Sequence, residues 1–270
     1  MPHQADGRLP TDASFSRASR AKVAFGPSDF ITYARGVRAL SKDAYTIPDD
    51  LIYSTSPRVV AELVSRVGAV EVSDWMYGTR YPLYVSPHRP VAVAQVRVGG
   101  PGAVMQLEEL IACGARRLIG IGFVGGIQPQ MEIGDVVVPL NCIRSDGVSY
   151  HYASDSDAAK PDSALAQTLA QHCGGRTGTV WSTDAPYREL WSSIEKCRQA
   201  GVLGVDMECA GVFAMAAFRS VVTATVLMVH NLIFDRWTPG LHSDLLESSM
   251  ARVIDGILMV INRSKERNER

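Results

Sequence analysis

A repeated change of apolar period along the interior is what most constrains this chain. Pro90-Val-Ala-Val-Ala-Gln-Val96 reads as a strand, and Ala103 to Cys113 then carries apolar residues at helical spacing. Arg117-Leu-Ile-Gly-Ile-Gly122 and Asp135-Val-Val-Val-Pro139 return to strand character. Met207 to Arg219 reads as a helix, and Val221 to Val229 is a β-branched run bounded by His230. Strand following helix following strand predicts an α/β layer fold around a largely buried sheet. In such sheets ligands gather where strand ends meet loops. Val98-Gly-Gly-Pro-Gly102, Gly120-Ile-Gly-Phe-Val-Gly-Gly126 and Val205-Asp-Met-Glu-Cys209 have that character.

Composition narrows the partners. Lys plus Arg is 27 against 28 for Asp plus Glu, a net charge of −1 over 270 residues. No global field draws in nucleic acid or an anionic membrane, so any bound anion depends on individual arginines. The five cysteines, Cys113, Cys142, Cys173, Cys197 and Cys209, form no CxxC pair and no Cys/His ligand spacing. Neither a disulfide framework nor a metal site is expected, and the thiols read as buried. No charged-then-apolar leader opens the sequence, and Arg219 interrupts its longest apolar stretch, so a cytoplasmic, non-membrane protein is expected. Residues 1–21 read as a loose polar arm and 22–270 as one domain, whose last eight residues form a charged helix end.

Each glycine-rich or acidic segment has two readings at this stage. Gly99-Gly100-Pro101-Gly102 joins a strand to a helix starting near Ala103. It suits either a tight turn or a backbone cradle for an anion. Gly120, Gly122, Gly125 and Gly126 suit either a bulge or close approach of the backbone to a ligand. Asp206 opens a helix, where a carboxylate caps and complements the dipole. Glu208 is followed at once by Cys-Ala-Gly-Val-Phe-Ala, residues that want burial, so its carboxylate needs a partner. A pair of sugar hydroxyls would satisfy both oxygens.

Together these segments resemble the nucleoside phosphorylase and nucleosidase superfamily, closest to its uridine phosphorylase-like members. The resemblance runs from about Leu51 to the final helix. It rests on Val98-Gly-Gly-Pro-Gly102 with Glu108-Glu109-Leu110 and on Gly125-Gly-Ile-Gln-Pro129 with Ile133-Gly-Asp-Val-Val137. Arg144-Ser-Asp-Gly-Val-Ser-Tyr-His-Tyr152, Ser182-Thr-Asp-Ala-Pro-Tyr187 and Val205-Asp-Met-Glu-Cys209 complete it. It implies a single three-layer αβα domain with a central mixed, partly barrel-like sheet. The implied reaction is cleavage of an N-glycosidic bond through an oxocarbenium-like transition state. The implied assembly is a homodimer or homohexamer, with no metal or organic cofactor and inorganic phosphate as co-substrate.

By that resemblance, Glu208 takes the ribose hydroxyls, Met207 packs on the sugar face, and Asp206 reaches the same region. Pro186, Tyr187 and Arg188 fall where the base packs. Arg58 suits the first phosphate position and Arg80 a second, supplied from a neighbouring subunit. Gly122 and Phe123 lie on the remaining phosphate loop, where the sequence departs from the pattern. The third arginine position is Gly120, and a usual hydroxyl donor is Phe123. Arg97, on a neighbouring strand, reads either as the residue that fills the volume left at Gly120 or as a solvated or interface residue. On the leaving-group side stand His230 and Asn231. Asn231 can donate a hydrogen bond but no proton, while His230 reads equally as the proton donor or as a core histidine. The expected activity is phosphorolysis of a nucleoside, a pyrimidine such as uridine favoured. The alternatives are a phosphate-independent hydrolase or a non-catalytic nucleoside-binding protein.

Overall fold

The computed structural model describes residue 20 and residues 22–268. The arm expected over residues 1–21 therefore lies, apart from Arg20, outside the described residues. The chain opens with α1 (Pro27–Val37), β1 (Asp50–Ser54), α2 (Pro57–Val67) and the short strands β2 (Val70–Glu71) and β3 (Leu83–Val85). Next come β4 (Val91–Gln95), α3 (Gly100–Ala112), β5 (Arg117–Gly126), β6 (Val136–Ser145), α4 (Ser163–Cys173) and β7 (Arg176–Thr183). The C-terminal part holds α5 (Trp191–Gln199), β8 (Gly204–Asp206), α6 (Cys209–Arg219), β9 (Val222–Ile233), β10 (Trp237–Pro239) and α7 (Asp244–Asn268).

All ten strands join one mixed sheet in the order β10-β9-β6-β7-β8-β5-β1-β4-β3-β2, and a further β5–β9 pairing closes five of them on themselves. β5 runs parallel to β9 from Arg117↔Val222 to Val124↔Val229, then shifts register so that Gly125 faces Asn231. β8 pairs antiparallel with β5 at Gly125↔Val205. A β-carbon on Gly125 would meet Ile233, Val205 and Asn231 at 3.1–3.3 Å, so the barrel closes here because the strand has no side chain.

Period-2 alternation sends successive residues to opposite helical layers. Leu51, Tyr53, Ala92, Ala94 and Leu118 share a buried cluster with Leu107 and Leu110 of α3 and Val212 and Phe213 of α6. Ile52, Val91, Val93 and Ile119 face Val59 and Leu63 of α2, Leu165 and Leu169 of α4, and Val253 and Ile257 of α7. Both faces are covered, which is why these strands read as unbroken apolar runs. The three-layer architecture with a partly barrel-like mixed sheet is the one expected.

Several boundaries differ from the sequence reading, for local reasons. α3 begins at Gly100 rather than near Ala103, because proline in the first helical turn forfeits no hydrogen bond. β5 continues through the glycine cluster to Gly126, and β9 passes the expected stop at His230 to reach Ile233; each borrows the other's backbone partners. β6 likewise extends to Ser145, held by β7. α6 starts at Cys209, two residues later than the periodicity suggested.

Candidate functional site

The parallel strands β1, β4, β5 and β9 end on one side of the sheet, and a cleft of about 620 Å3 opens there. Its walls bring together Phe123, Pro186, Tyr187, Asp206, Met207, Glu208, His230 and Asn231 from the candidate residues. Thr55, Val98, Gly125, Glu189, Val205, Ile233 and Trp237 complete them. A smaller adjoining recess of about 20 Å3 shares Thr55, Asp206 and Glu208 and includes Gly122, Tyr53 and Thr225.

The floor is built by the start of α6. Asp206 is buried, and both its oxygens are used within the fold. Oδ1 accepts the Ser182 hydroxyl at 2.5 Å, while Oδ2 accepts the amides of Glu208 at 3.1 Å and Cys209 at 2.7 Å. Ser182 in turn accepts the Ala210 amide at 3.0 Å. Asp206 therefore acts as the helix cap, not as a free sugar ligand, because the orphan amides of α6 claim its lone pairs first.

With Asp206 committed, Glu208 is the carboxylate at the start of α6 that faces the cleft. Its Oε1 accepts the Gly99 amide at 2.7 Å. Gly99 has φ +88°, a left-handed backbone that glycine adopts without strain, and this turns its N–H toward Glu208. The Gly99-Gly100 loop is thus a carboxylate support rather than an anion cradle. Burial, then the charge of Asp206, pushes the Glu208 carboxyl up to about 7, against the lowering pull of the Gly99 amide. A carboxylate held by one oxygen and poised near neutrality suits a pair of vicinal hydroxyls.

The surrounding loops are fastened by charged groups that stay out of the cleft. Arg144 donates to Ser149 Oγ and to the carbonyls of Ala153, Ser154 and Asp157, and it stacks 4.1 Å from the Tyr150 ring. Asp184 Oδ2 accepts the Gly147 amide at 2.7 Å, tying the β6 and β7 loops together.

Every candidate arginine lies elsewhere. Arg58 is exposed on the first turn of α2 and paired with Glu247. Arg80 sits on the Gly78–Arg80 turn with its guanidinium 5.9 Å from the Tyr81 ring. Arg188 is exposed and lines neither cavity. The expectation that Arg97 fills the volume beside Gly120 is overturned. Its guanidinium lies 4.4 Å from the Tyr77 ring and 4.6 Å from the Tyr81 ring, close enough for cation–π attraction to hold it there. The volume itself is taken: a β-carbon on Gly120 would meet Tyr53 Oη at 2.6 Å and Thr225 Oγ1 at 2.7 Å. Among the described residues no arginine or lysine lines the cleft or its recess.

His230 and Asn231 reach the cleft from β9. His230 Nδ1 lies 3.2 Å from the Val124 carbonyl, which only accepts, so Nδ1 carries the hydrogen in the neutral ring. Burial moves the imidazole below its ordinary pKa, so at neutral pH its proton is committed to that carbonyl. His230 is therefore poorly placed to protonate a leaving group, though its ring lines the wall 5.5 Å from Phe123. Asn231 is buried, and its side-chain amide bonds to no described residue, which leaves it available to a ligand.

The cysteines are buried or half-buried, and burial raises the thiols of Cys142 and Cys209 well above their usual range. They carry no nucleophile. A second groove of about 430 Å3 lies around Glu108, Arg116 and Arg219. There Glu108 already takes both branches of Arg219 at 2.6 and 2.9 Å.

Sequence reasoning missed Thr55, Glu189, Ile233 and Trp237 in the cleft wall. Glu189 stands out: half-buried, with no hydrogen-bond partner among the described residues, and pushed up to about 7 by burial alone. Its only signal was its place directly after Pro186-Tyr-Arg188.

A family model described as "Phosphorylase superfamily" matches residues 51–258. The uridine phosphorylase of Klebsiella aerogenes is 32% identical over 148 residues, which is 48% of this chain and 58% of that protein. The uridine phosphorylase of Escherichia coli (strain K12) matches to the same extent. A purine nucleoside phosphorylase, DeoD-type 2, from Vibrio vulnificus is 30% identical over 152 residues, 54% of this chain and 64% of that one. The chain thus spans less than two thirds of the length of these relatives. No helix among the described residues is long and apolar enough to cross a membrane.

Proposed function

The chain belongs to the phosphorylase superfamily, and on that premise we propose that it cleaves the N-glycosidic bond of a nucleoside in the cleft around Glu208. The observation that carries this reading is the division of labour at the start of α6. Asp206 is used up as the cap, while Glu208 keeps an oxygen for the ligand and is braced by the Gly99 amide. An ionised Glu208 accepts hydrogen bonds from the two ribose hydroxyls, and Met207 packs beside the sugar. As the bond to the base stretches, positive charge grows on the ring, and the nearby carboxylate stabilises it. A group already in position needs no reorganisation at that moment.

Water is the acceptor that the local electrostatics favour. The walls carry Glu189, Asp206 and Glu208, but no arginine or lysine among the described residues. A phosphate dianion there would face like charge without compensation. Phosphorolysis to the free base and ribose 1-phosphate is the second reading, favoured by the relatives, which are named as phosphorylases. It requires a cation to arrive. Arg58 would have to leave Glu247, on the helix whose Ser56 cap adjoins cleft-lining Thr55. Otherwise Arg80 would have to come from a second copy in a homodimer or homohexamer. Uridine heads the substrate panel, because uridine phosphorylases are among the relatives.

The test is incubation with pyrimidine and purine nucleosides, with and without inorganic phosphate, following free base and the sugar product. Base release with free ribose and no phosphate requirement is the expected outcome. Release only with phosphate, yielding ribose 1-phosphate, would replace water by phosphate. No release from any nucleoside would reject glycosidic cleavage altogether.

A further inference from the structure

A departing base needs a proton, and the two residues nearest that role do not supply one. Asn231 has none to give, and the His230 hydrogen is turned to the Val124 carbonyl. Glu189 is the remaining uncommitted acid. It lines the cleft from the β7–α5 connection, on the same wall as Pro186 and Tyr187, and Asn231, Ile233 and Trp237 line the cleft from β9 and β10. No described group hydrogen bonds to its carboxyl, whereas Asp206 and Glu208 in the same cleft accept backbone amides. We propose that Glu189 is the proton donor to the leaving base, an inference that rests on the glycosidic-cleavage reading above.

The bond between the anomeric carbon and the base nitrogen breaks, and its electron pair goes to the base. The Glu189 carboxyl proton passes to a nitrogen or carbonyl oxygen of that base, leaving Glu189 ionised. The acceptor oxygen bonds to the anomeric carbon, and where water is the acceptor its proton returns through solvent to Glu189. Burial holds this carboxyl near 7, so about half is protonated where the reaction runs. The other titratable groups lining the cleft are Tyr187, Asp206, Glu208 and His230, and Arg188 beside it is exposed. The two glutamates are needed in opposite states, Glu208 ionised and Glu189 protonated. The pH profile of kcat/KM is therefore a bell centred near 7.

The experiment compares wild type with Glu189→Gln and Glu189→Ala on two substrates. One is the nucleoside that the wild type cleaves fastest. The other is 4-nitrophenyl β-ribofuranoside, whose leaving group departs as a stable anion. Loss of a general acid is expected to slow the nucleoside by roughly 10²–10⁴-fold. It is expected to leave the nitrophenyl riboside nearly untouched and to remove the alkaline limb of the pH profile. Equal losses on both substrates, or an unchanged nucleoside rate in Glu189→Gln, would overturn the role. If the wild type does not accept the nitrophenyl riboside, the alkaline limb decides alone: retained in Glu189→Gln, it overturns the proposal. A wild type inactive on every nucleoside rejects glycosidic cleavage and this inference with it, whereas an active wild type with an indifferent Glu189→Gln rejects the inference only.

Discussion

Glu208 and Asp206 are two residues apart, and the fold uses them for different purposes. The orphan amides of α6 take Asp206, so of the two Glu208 remains for a ligand. Its carboxyl ionises at about 7 when folded, against an ordinary 4.5. The folded state therefore holds the proton more tightly than the unfolded chain, and stability falls as pH rises from 4.5 through 7. Glu208→Gln removes that dependence. Urea midpoints of the variant should gain on wild type between the acidic and alkaline ends of this window, and parallel curves would contradict the buried, uncompensated carboxyl. The sequence exposed Glu208 because six apolar or small residues follow it. It hid Glu189, which sits between Arg188 and Leu190 like an ordinary surface residue and is buried only by tertiary packing. The arginines were misplaced for a related reason. The partners of Arg97, Tyr77 and Tyr81, lie far back along the chain and are brought to it by the sheet.

At the scale of elements, the glycine cluster of β5 shows how far spacing can be read. Its density signalled a close approach, and the approach turned out to be strand against strand where the barrel closes. The position where the resemblance expected an arginine, Gly120, faces Tyr53 Oη and Thr225 Oγ1 at 2.6 and 2.7 Å from any added β-carbon. Gly120→Arg should therefore destabilise the protein by about 1–3 kcal/mol, the usual result of overpacking. It should also fail to create phosphate dependence. A stable variant with phosphate-stimulated turnover would show that the recess is roomier than its walls indicate. The helix boundaries shifted by a few residues, because Pro101 tolerates the first turn of α3 and Asp206 delays the start of α6.

For the whole molecule, layer order was legible because each strand feeds both helical layers. Leu51 and Ile52, adjacent in sequence, belong to opposite cores. Barrel closure was not, since the β5–β9 pairing joins segments more than 100 residues apart and leaves no local trace beyond the glycines. The near-zero net charge gained meaning once the cleft was seen. Arg58 is paired with Glu247, Arg97 lies against aromatic rings and Arg144 donates to loop carbonyls. Among the described residues, Glu208 faces a cleft that no arginine or lysine lines. Release of free base from a nucleoside at near-neutral pH, compared between wild type and Glu208→Gln, decides whether Glu208 supports glycosidic cleavage. Loss of one preorganised electrostatic group should slow release by about 10²–10³-fold while the fold persists. Equal rates in the two proteins would contradict it.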